Sequence, residues 1–260
     1  VAALTIGVVA LAACGDDDAA EGPAWDTGPP VGEAVLPDLV PAAPTTLNVL
    51  SEPGGSTIIR FTSLLVNVGD GDFVLRGVRT GGDTWEVDQE VPYSDSGAEV
   101  VPTDAEMVWG GDGHFHWHVS RVASYRLVPL DESGAPIEGV EGWVDQKVGF
   151  CFFDTDHVVD RGPEEPQYKP AGCGTEEDDS FFMGLSPGWG DTYIFSLPGQ
   201  SIDVTDLPDG KYRLWAEVDE RAWFRESNRD NNRTWADIDL STLPDGLRTA
   251  LVVAVGPEPE

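Results

Sequence analysis

An all-β sandwich with long irregular loops is the fold this 260-residue sequence predicts, and three observations predict it. Short segments rich in β-branched and aromatic residues alternate with Gly, Pro, Asp and Asn turn clusters. No long stretch keeps a 3.6-residue apolar repeat, and no internal repeat points to a propeller or solenoid. A hydrophobic content of 40% with nine tryptophans is enough to fill the core that such a sandwich needs.

In chain order, residues 1–14 form an apolar run, too short to span a bilayer, that ends Leu11-Ala12-Ala13-Cys14. A cysteine directly after Leu-Ala-Ala resembles a bacterial lipobox, so this segment reads as part of a lipoprotein signal with Cys14 as the lipidation site. That reading puts the protein outside the cytoplasm, lipid-anchored at a bacterial cell envelope; a cleaved signal and a secreted protein is the alternative. Residues 15–35 are acidic, rich in Pro, Gly and Ala, and without periodicity, which reads as a disordered linker. Residues 36–243 carry the strands, expected at Ser56–Val66, Asp72–Val78, Met107–Trp109, His114–Val128, Val144–Phe153, Thr192–Leu197, Lys211–Val218 and Arg233–Leu240. The longest irregular span, Asp154 to Pro187, exceeds a plain connection and reads as functional. Residues 244–260 read as a tail. With Cys14 set aside, Cys151 and Cys173 are an even pair in an exported chain and are expected to be bridged, stabilising the fold by roughly 3 kcal/mol.

Forty-seven acidic against fifteen basic residues give a formal charge of −32. That charge opposes binding to nucleic acid or to an anionic membrane surface and favours a cationic substrate. Contact with a membrane is expected only through the lipid.

Three of the four histidines fall in Gly113-His114-Phe115-His116-Trp117-His118-Val119. On an extended strand successive side chains alternate faces, so His114, His116 and His118 share one face while Phe115 and Trp117 share a core face. Imidazoles so placed can converge on one transition metal at about 2.0–2.1 Å if the strand bends, and Gly110, Gly111 and Gly113 supply flexibility for that bend. Nitrogen ligands without a thiolate favour Cu(II) or Zn(II). The plainer alternative is three solvent-facing histidines. A hydrolytic zinc site would need a placed carboxylate base, and no spaced motif supports one.

Beyond this segment the sequence resembles the lysyl oxidase family. The resemblance is carried by His-x-His-x-His at His114, His116 and His118 with Trp109 upstream; by Leu36-Pro37-Asp38-Leu39-Val40; by Ile59-Arg60-Phe61, Asn67-Val68-Gly69 and Asp72-Phe73; by Lys147-Val148-Gly149-Phe150-Cys151; by Gly184-Leu185-Ser186-Pro187-Gly188 with Asp191-Thr192-Tyr193; and by Glu226-Ser227 with Asn231-Asn232. In order, these cover residues 36 to about 242. The resemblance implies the family's β-sandwich catalytic domain, copper on the three histidines, and a lysine tyrosylquinone cofactor made from Lys147 and Tyr193. A phenol can be taken to an ortho-quinone, and an amine freed of its proton can add to it. It also implies a calcium site built from Asp38, the Leu39 carbonyl, Glu226, Asn228, Asn231 and Asn232, with Asn228 where the family usually has aspartate. Cys151 and Cys173 fall at family cysteine positions. Gly111 stands where the animal members carry a further histidine, which bears on proton transfer rather than on the three ligands.

The implied function is a copper- and quinone-dependent amine oxidase. It converts cationic primary amines, peptidyl lysine among the candidates, to aldehydes with release of ammonia and hydrogen peroxide. The rival reading is a lipid-anchored copper-binding module of the same fold without turnover. Such a module would have no need of Lys147 and Tyr193, and both are present.

Overall fold

The computed structural model describes residues 28–260 except 111–113, 138, 141, 147, 148 and 198. Cys14, most of the acidic linker, Gly111 and Lys147 therefore lie outside the described residues. In chain order the strands are β1 (Leu39–Pro41), β2 (Thr45–Ser51), β3 (Thr57–Asn67), β4 (Phe73–Gly81), β5 (Thr84–Pro92), β6 (Ala98–Pro102), β7 (Met107–Trp109), β8 (Trp117–Val119) and β9 (Ala123–Pro129). They continue as β10 (Trp143–Gln146), β11 (Asp156–His157), β12 (Ser180–Leu185), β13 (Trp189–Tyr193), β14 (Ser201–Asp203), β15 (Gly210–Val218), β16 (Arg233–Thr242) and β17 (Arg248–Val255), with one 3-10 turn at Pro170–Cys173. No helix among the described residues is long and apolar enough to cross a membrane. The expected all-β architecture is what forms.

β3 is the hub of one sheet, pairing with β1, β2, β13 and β14, while β11 extends it beyond β13. A second sheet runs β10-β9-β15-β16-β17, a third β12-β4-β5-β6, and β7 with β8 makes a two-stranded ribbon. The pleat explains why these segments are strands: Ile59, Phe61, Ser63 and Leu65 of β3 are buried while the residues between them are half-buried, as period 2 requires. β15 alternates likewise, with Tyr212, Leu214, Ala216 and Val218 inward. The rings of Phe61 and Tyr125, 4.7 Å apart, join the first two sheets across one continuous core. Full burial of a side chain such as Phe61 contributes about 1.5–3 kcal/mol. The inward Ser63 is satisfied by donating to Gln200 Oε1 at 2.9 Å, so it adds no unpaired polar group.

Several sequence expectations change in the folded chain. The expected run His114–Val128 is strand only at Trp117–Val119 and Ala123–Pro129, because Arg121 turns the chain at φ 58°. Among the described residues, 149–153 do not extend β10, and β13 ends at Tyr193 rather than continuing to Leu197. The span Asp154–Pro187 holds β11, the 3-10 turn and β12, with β12 fully paired to β4. The buried Asp154 organises this span by accepting from the N–H groups of Gln167, Tyr168 and Ser186 and from the Ser186 hydroxyl. Beyond Leu243 the chain forms β17, paired to β16 from Thr242↔Arg248 to Ala236↔Val255, instead of a tail. The end of the expected linker is also tied in, since Val31 N–H donates to Ser96 O and Val35 N–H to Pro92 O. β12 and the end of the linker escape sequence reading because their pairing partners are distant in the chain.

Candidate metal and oxidation site

The histidines sit on a ribbon made by β7 and β8, in register Val108↔His118 and Trp109↔Trp117. Gly110 adopts φ 55°, a conformation open to glycine at little cost, and its N–H donates to His116 O at 3.0 Å. The chain is thus still bending at Phe115 and His116 and becomes strand only from Trp117. The expected simple alternation fails at one position in consequence: Trp117 is buried, but Phe115 is 86% exposed instead of facing the core.

The bend does what three ligands on one segment need. The ligand atoms of His114, His116 and His118 all lie within 4.8 Å of one another, and the Nε2 atoms of His116 and His118 are 3.1 Å apart. Nitrogens bound to one ion at about 2.0–2.1 Å are at most about 4 Å apart, so the rings need to close in by less than about 1 Å. Among the described residues this is the one His/Cys/Asp/Glu group with metal-ligand spacing. His118 is buried, and His114 and His116 are half-buried.

Trp117 anchors the ribbon between two ligands. Its ring lies 4.9 Å from Trp85 and 5.2 Å from Trp109, its indole N–H donates to Thr175 O at 2.9 Å, and the Arg79 guanidinium stands 4.8 Å over its face. Arg79 also donates to Glu176 O, clamping the loop after Cys173 to the back of the ribbon. On the other side Val119 exchanges both backbone hydrogen bonds with Phe150. A Cβ on Gly149 would stand 2.5 Å from His118 Cβ, so only glycine allows the chain to pass this close.

That crossing brings the Phe150–Cys151 segment to Tyr193. The buried Tyr193 Oη accepts from Cys151 N–H at 2.8 Å, and its ring meets Phe150 edge-on at 5.2 Å. Cys151 is bridged to Cys173 as expected, with Cα atoms 5.7 Å apart. Tyr193, His114 and His116 line one cavity of about 440 Å³, together with Phe115, Phe153 and Asp191. Tyr193 and Asp191 project from the same face of β13 by strand alternation. Asp191 is fully buried, and its charge adds to the burial that pushes the Tyr125 phenol up. Asp191 stands in the motif Asp191-Thr192-Tyr193 without an assigned role, and its i−2 spacing from Tyr193 is the available signal. The exposed Phe115 was missed because a plain strand would have hidden it.

Beside β1, at the Asn67 end of β3, the fold gathers most of the residues expected to bind calcium. Asn231 donates to Asp38 Oδ1 at 3.0 Å, Asn232 to Glu226 Oε1 at 2.9 Å, and the Leu39 N–H to Glu226 Oε2 at 2.7 Å. Burial raises the Asp38 carboxyl above its usual range and pushes Glu226 up to about 7. The amide oxygens of Asn231 and Asn232 are buried without a hydrogen-bond partner, which fits an oxygen-seeking cation. Asn228 is exposed, and its side-chain oxygen accepts from Asp230 N–H within its own turn. Arg229 already reaches Glu226 at 3.0 Å and Asp219 at 2.8 Å.

These features define a β-sandwich protein with a three-imidazole centre beside a buried tyrosine. Residues 92–243, more than half of the chain, match the family model described as Lysyl oxidase, and the chain belongs to the lysyl oxidase family. It is 29% identical over 143 residues to protein-lysine 6-oxidase of Gallus gallus, covering 54% of this chain and 30% of that one. It is 27% identical over 191 residues to lysyl oxidase homolog 2 of Gallus gallus, covering 73% and 19%. Against protein-lysine 6-oxidase of Homo sapiens the identity is 28% over 143 residues, covering 54% and 30%. The chain spans less than a third of the length of these relatives.

Proposed function

We propose that this protein is a copper- and quinone-dependent amine oxidase that converts primary amines, lysine side chains of proteins among them, to aldehydes. The overall reaction takes an amine, O₂ and water to an aldehyde, ammonia and hydrogen peroxide. The observation that carries the reading is the shared cavity: a buried tyrosine and two of three converging imidazoles face the same space. Three nitrogen donors with no thiolate suit copper.

When bound, copper and lysine tyrosylquinone supply the electron sink and the chemistry with O₂. The chain's own residues do the rest. His114, His116 and His118 hold the ion; Tyr193 and Lys147 furnish the ring and the amine of the cofactor. The Cys151 N–H fixes the Tyr193 oxygen, and the Cys151–Cys173 bridge keeps that segment in place. The lining is largely apolar, so a bound amine would displace water from it and strengthen the charge interactions inside. The family's named oxidases, the bridged cysteines of an oxidising compartment and the lipobox-like start support a protein that works outside the cytoplasm, attached through lipid at Cys14. Asp38, the Leu39 carbonyl, Glu226, Asn228, Asn231 and Asn232 are proposed as a structural calcium site, supported by the two unpartnered amide oxygens.

The test is intact mass after copper loading in air, with a carbonyl-reactive hydrazine. A stoichiometric adduct, a cross-linked peptide containing Lys147 and Tyr193, and peroxide release on adding a primary amine are expected. Full amine oxidation by Tyr193→Phe would overturn the reading in favour of a different redox centre. Copper bound without adduct, cross-link or peroxide would leave the rival copper-binding module.

A further inference from the structure

Tyr193 is held at two places by different parts of the fold. At the ring, its Oη accepts from Cys151 N–H at 2.8 Å. At the main chain, the ladder between β3 and β13 stops at the pair Tyr193↔Ser63, and a buried side chain from further along meets the strand there. That side chain is Gln200. It is 1% exposed, and its amide nitrogen donates to Tyr193 O at 2.9 Å, to Ile194 O at 2.7 Å and to Phe61 O of β3 at 2.9 Å. Its Oε1 accepts from the Ser63 hydroxyl at 2.9 Å. Both ends of the amide are therefore used, with two N–H groups shared among three carbonyls.

A buried amide with this many partners would steady the end of any sheet. What singles Gln200 out is that two of its acceptors are the carbonyl of Tyr193 and the carbonyl of the next residue. The direction of a side chain follows its backbone, so fixing the peptide after Tyr193 fixes where the phenol enters the cavity it shares with His114 and His116. We infer that Gln200 is a positioning residue that holds the main chain at Tyr193 so that the ring is aimed at the ion on the three histidines. Its purpose rests on the amine oxidase reading; its geometry does not. Oxidation of a ring beside a metal depends on placement, and a misplacement of about 1 Å can cost about 100-fold in rate.

The experiment reads the place of the ring without turnover. Cobalt(II), which binds nitrogen sites in the same series as copper, serves as a paramagnetic probe that leaves the phenol intact. The carbon-13 ring signal of Tyr193, picked out among the five tyrosines by its loss in Tyr193→Phe, then reports distance and direction from the ion. Gln200→Leu is expected to move this signal while the other tyrosine signals stay in place. With copper in air, the same variant should form the hydrazine-reactive group at least about tenfold more slowly, with copper affinity within a few-fold of the wild type. Its melting temperature should fall too, because buried carbonyls lose their donor. Thr234→Val removes another buried hydrogen bond, from the Thr234 hydroxyl to Pro257 O, and serves as the comparison for a purely structural loss. Gln200→Asn keeps the amide but is one methylene too short to reach Ser63 and the carbonyls together. It should act in the same direction by less, and it decides the matter where Gln200→Leu does not fold. A Tyr193 signal and a rate of adduct formation that match those of Thr234→Val overturn the inference. The two readings fail differently. A moved Tyr193 signal with no adduct in any protein, wild type included, defeats the oxidase and leaves the positioning; an adduct that forms equally fast with Gln200 replaced does the reverse.

Discussion

The histidine ribbon and the Asp38–Glu226 cluster are both candidate cation sites, and they are built in opposite ways. The ribbon takes its three ligands from five consecutive residues and lets a bend bring the nitrogens within 4.8 Å. The cluster joins residues far apart in sequence, Leu39 to Glu226 and Asp38 to Asn231, and it supplies its own donors: a backbone N–H, two amides and the Arg229 guanidinium. A site whose charges are already met from within the chain can lose its ion and keep its shape. Three imidazoles gathered around one point are of use only when something is held there. The ion is thus expected to govern function at the ribbon and to add only stability at the cluster.

The largest expected effect is at the ribbon. His116→Ala should weaken copper binding by more than about 100-fold, since even the outer partners of metal ligands are worth about 10- to 100-fold. Competition titration against a copper chelator checks this, and affinity within a few-fold of the wild type would remove His116 from the ligand set. Next comes the support behind the ribbon. Trp117→Phe keeps a ring against Trp85 and Trp109 but loses the bond to Thr175 O. It should weaken copper about tenfold and, because Trp117 is buried, also lower the melting temperature; unchanged copper affinity would leave Trp117 a purely structural role.

The cluster sharpens the contrast. Glu226→Ala leaves the Arg229 charge short of one of its two carboxylates and the Leu39 N–H without its acceptor, and should cost about 2–4 kcal/mol. Calcium removal from the wild type by a selective chelator should lower the melting temperature by a few degrees without releasing copper. Equal copper loss in the two experiments would show that the sites are coupled and that the division drawn above is wrong.

What could be read from the sequence follows the same division. The ribbon was legible because its ligands are local, and histidine is so scarce in this chain that three in alternation carry a signal. Strands β3 and β15 were legible because one face of each is buried, which writes period 2 into the sequence. The exposed Phe115 was not, since the bend at Phe115 and His116 breaks the alternation without a sequence mark beyond the preceding glycines. β17 was missed for a related reason. Its residues Leu251, Val252, Val253 and Val255 are all exposed, so neither face imposes a polar alternation, and only pairing to β16 makes the segment a strand. β12 was hidden by its place after a loop, with its partner β4 about a hundred residues earlier.

The smallest expected effect is at Asp72, just before β4. Burial, with the neighbouring Asp154 carboxylate adding to it, pushes Asp72 up from 3.8 to about 6. Between these values the folded protein holds a proton that the unfolded chain has released. The stabilisation is complete below about pH 3.8 and is lost as the pH rises through 6. Asp154 itself cannot be relieved by moving, because three backbone N–H groups and a hydroxyl fix it. Asp72→Asn removes the titrating charge while keeping size and polarity. The variant should melt about 2–6 °C above the wild type at pH 8, a gain of roughly 1–2 kcal/mol, and the gap should close toward pH 4. Copper affinity should not change at either pH. A wild-type melting temperature that instead rises between pH 4 and 7 relative to Asp72→Asn would mean that Asp72 is stabilised as an anion, held by a cation rather than destabilised by Asp154.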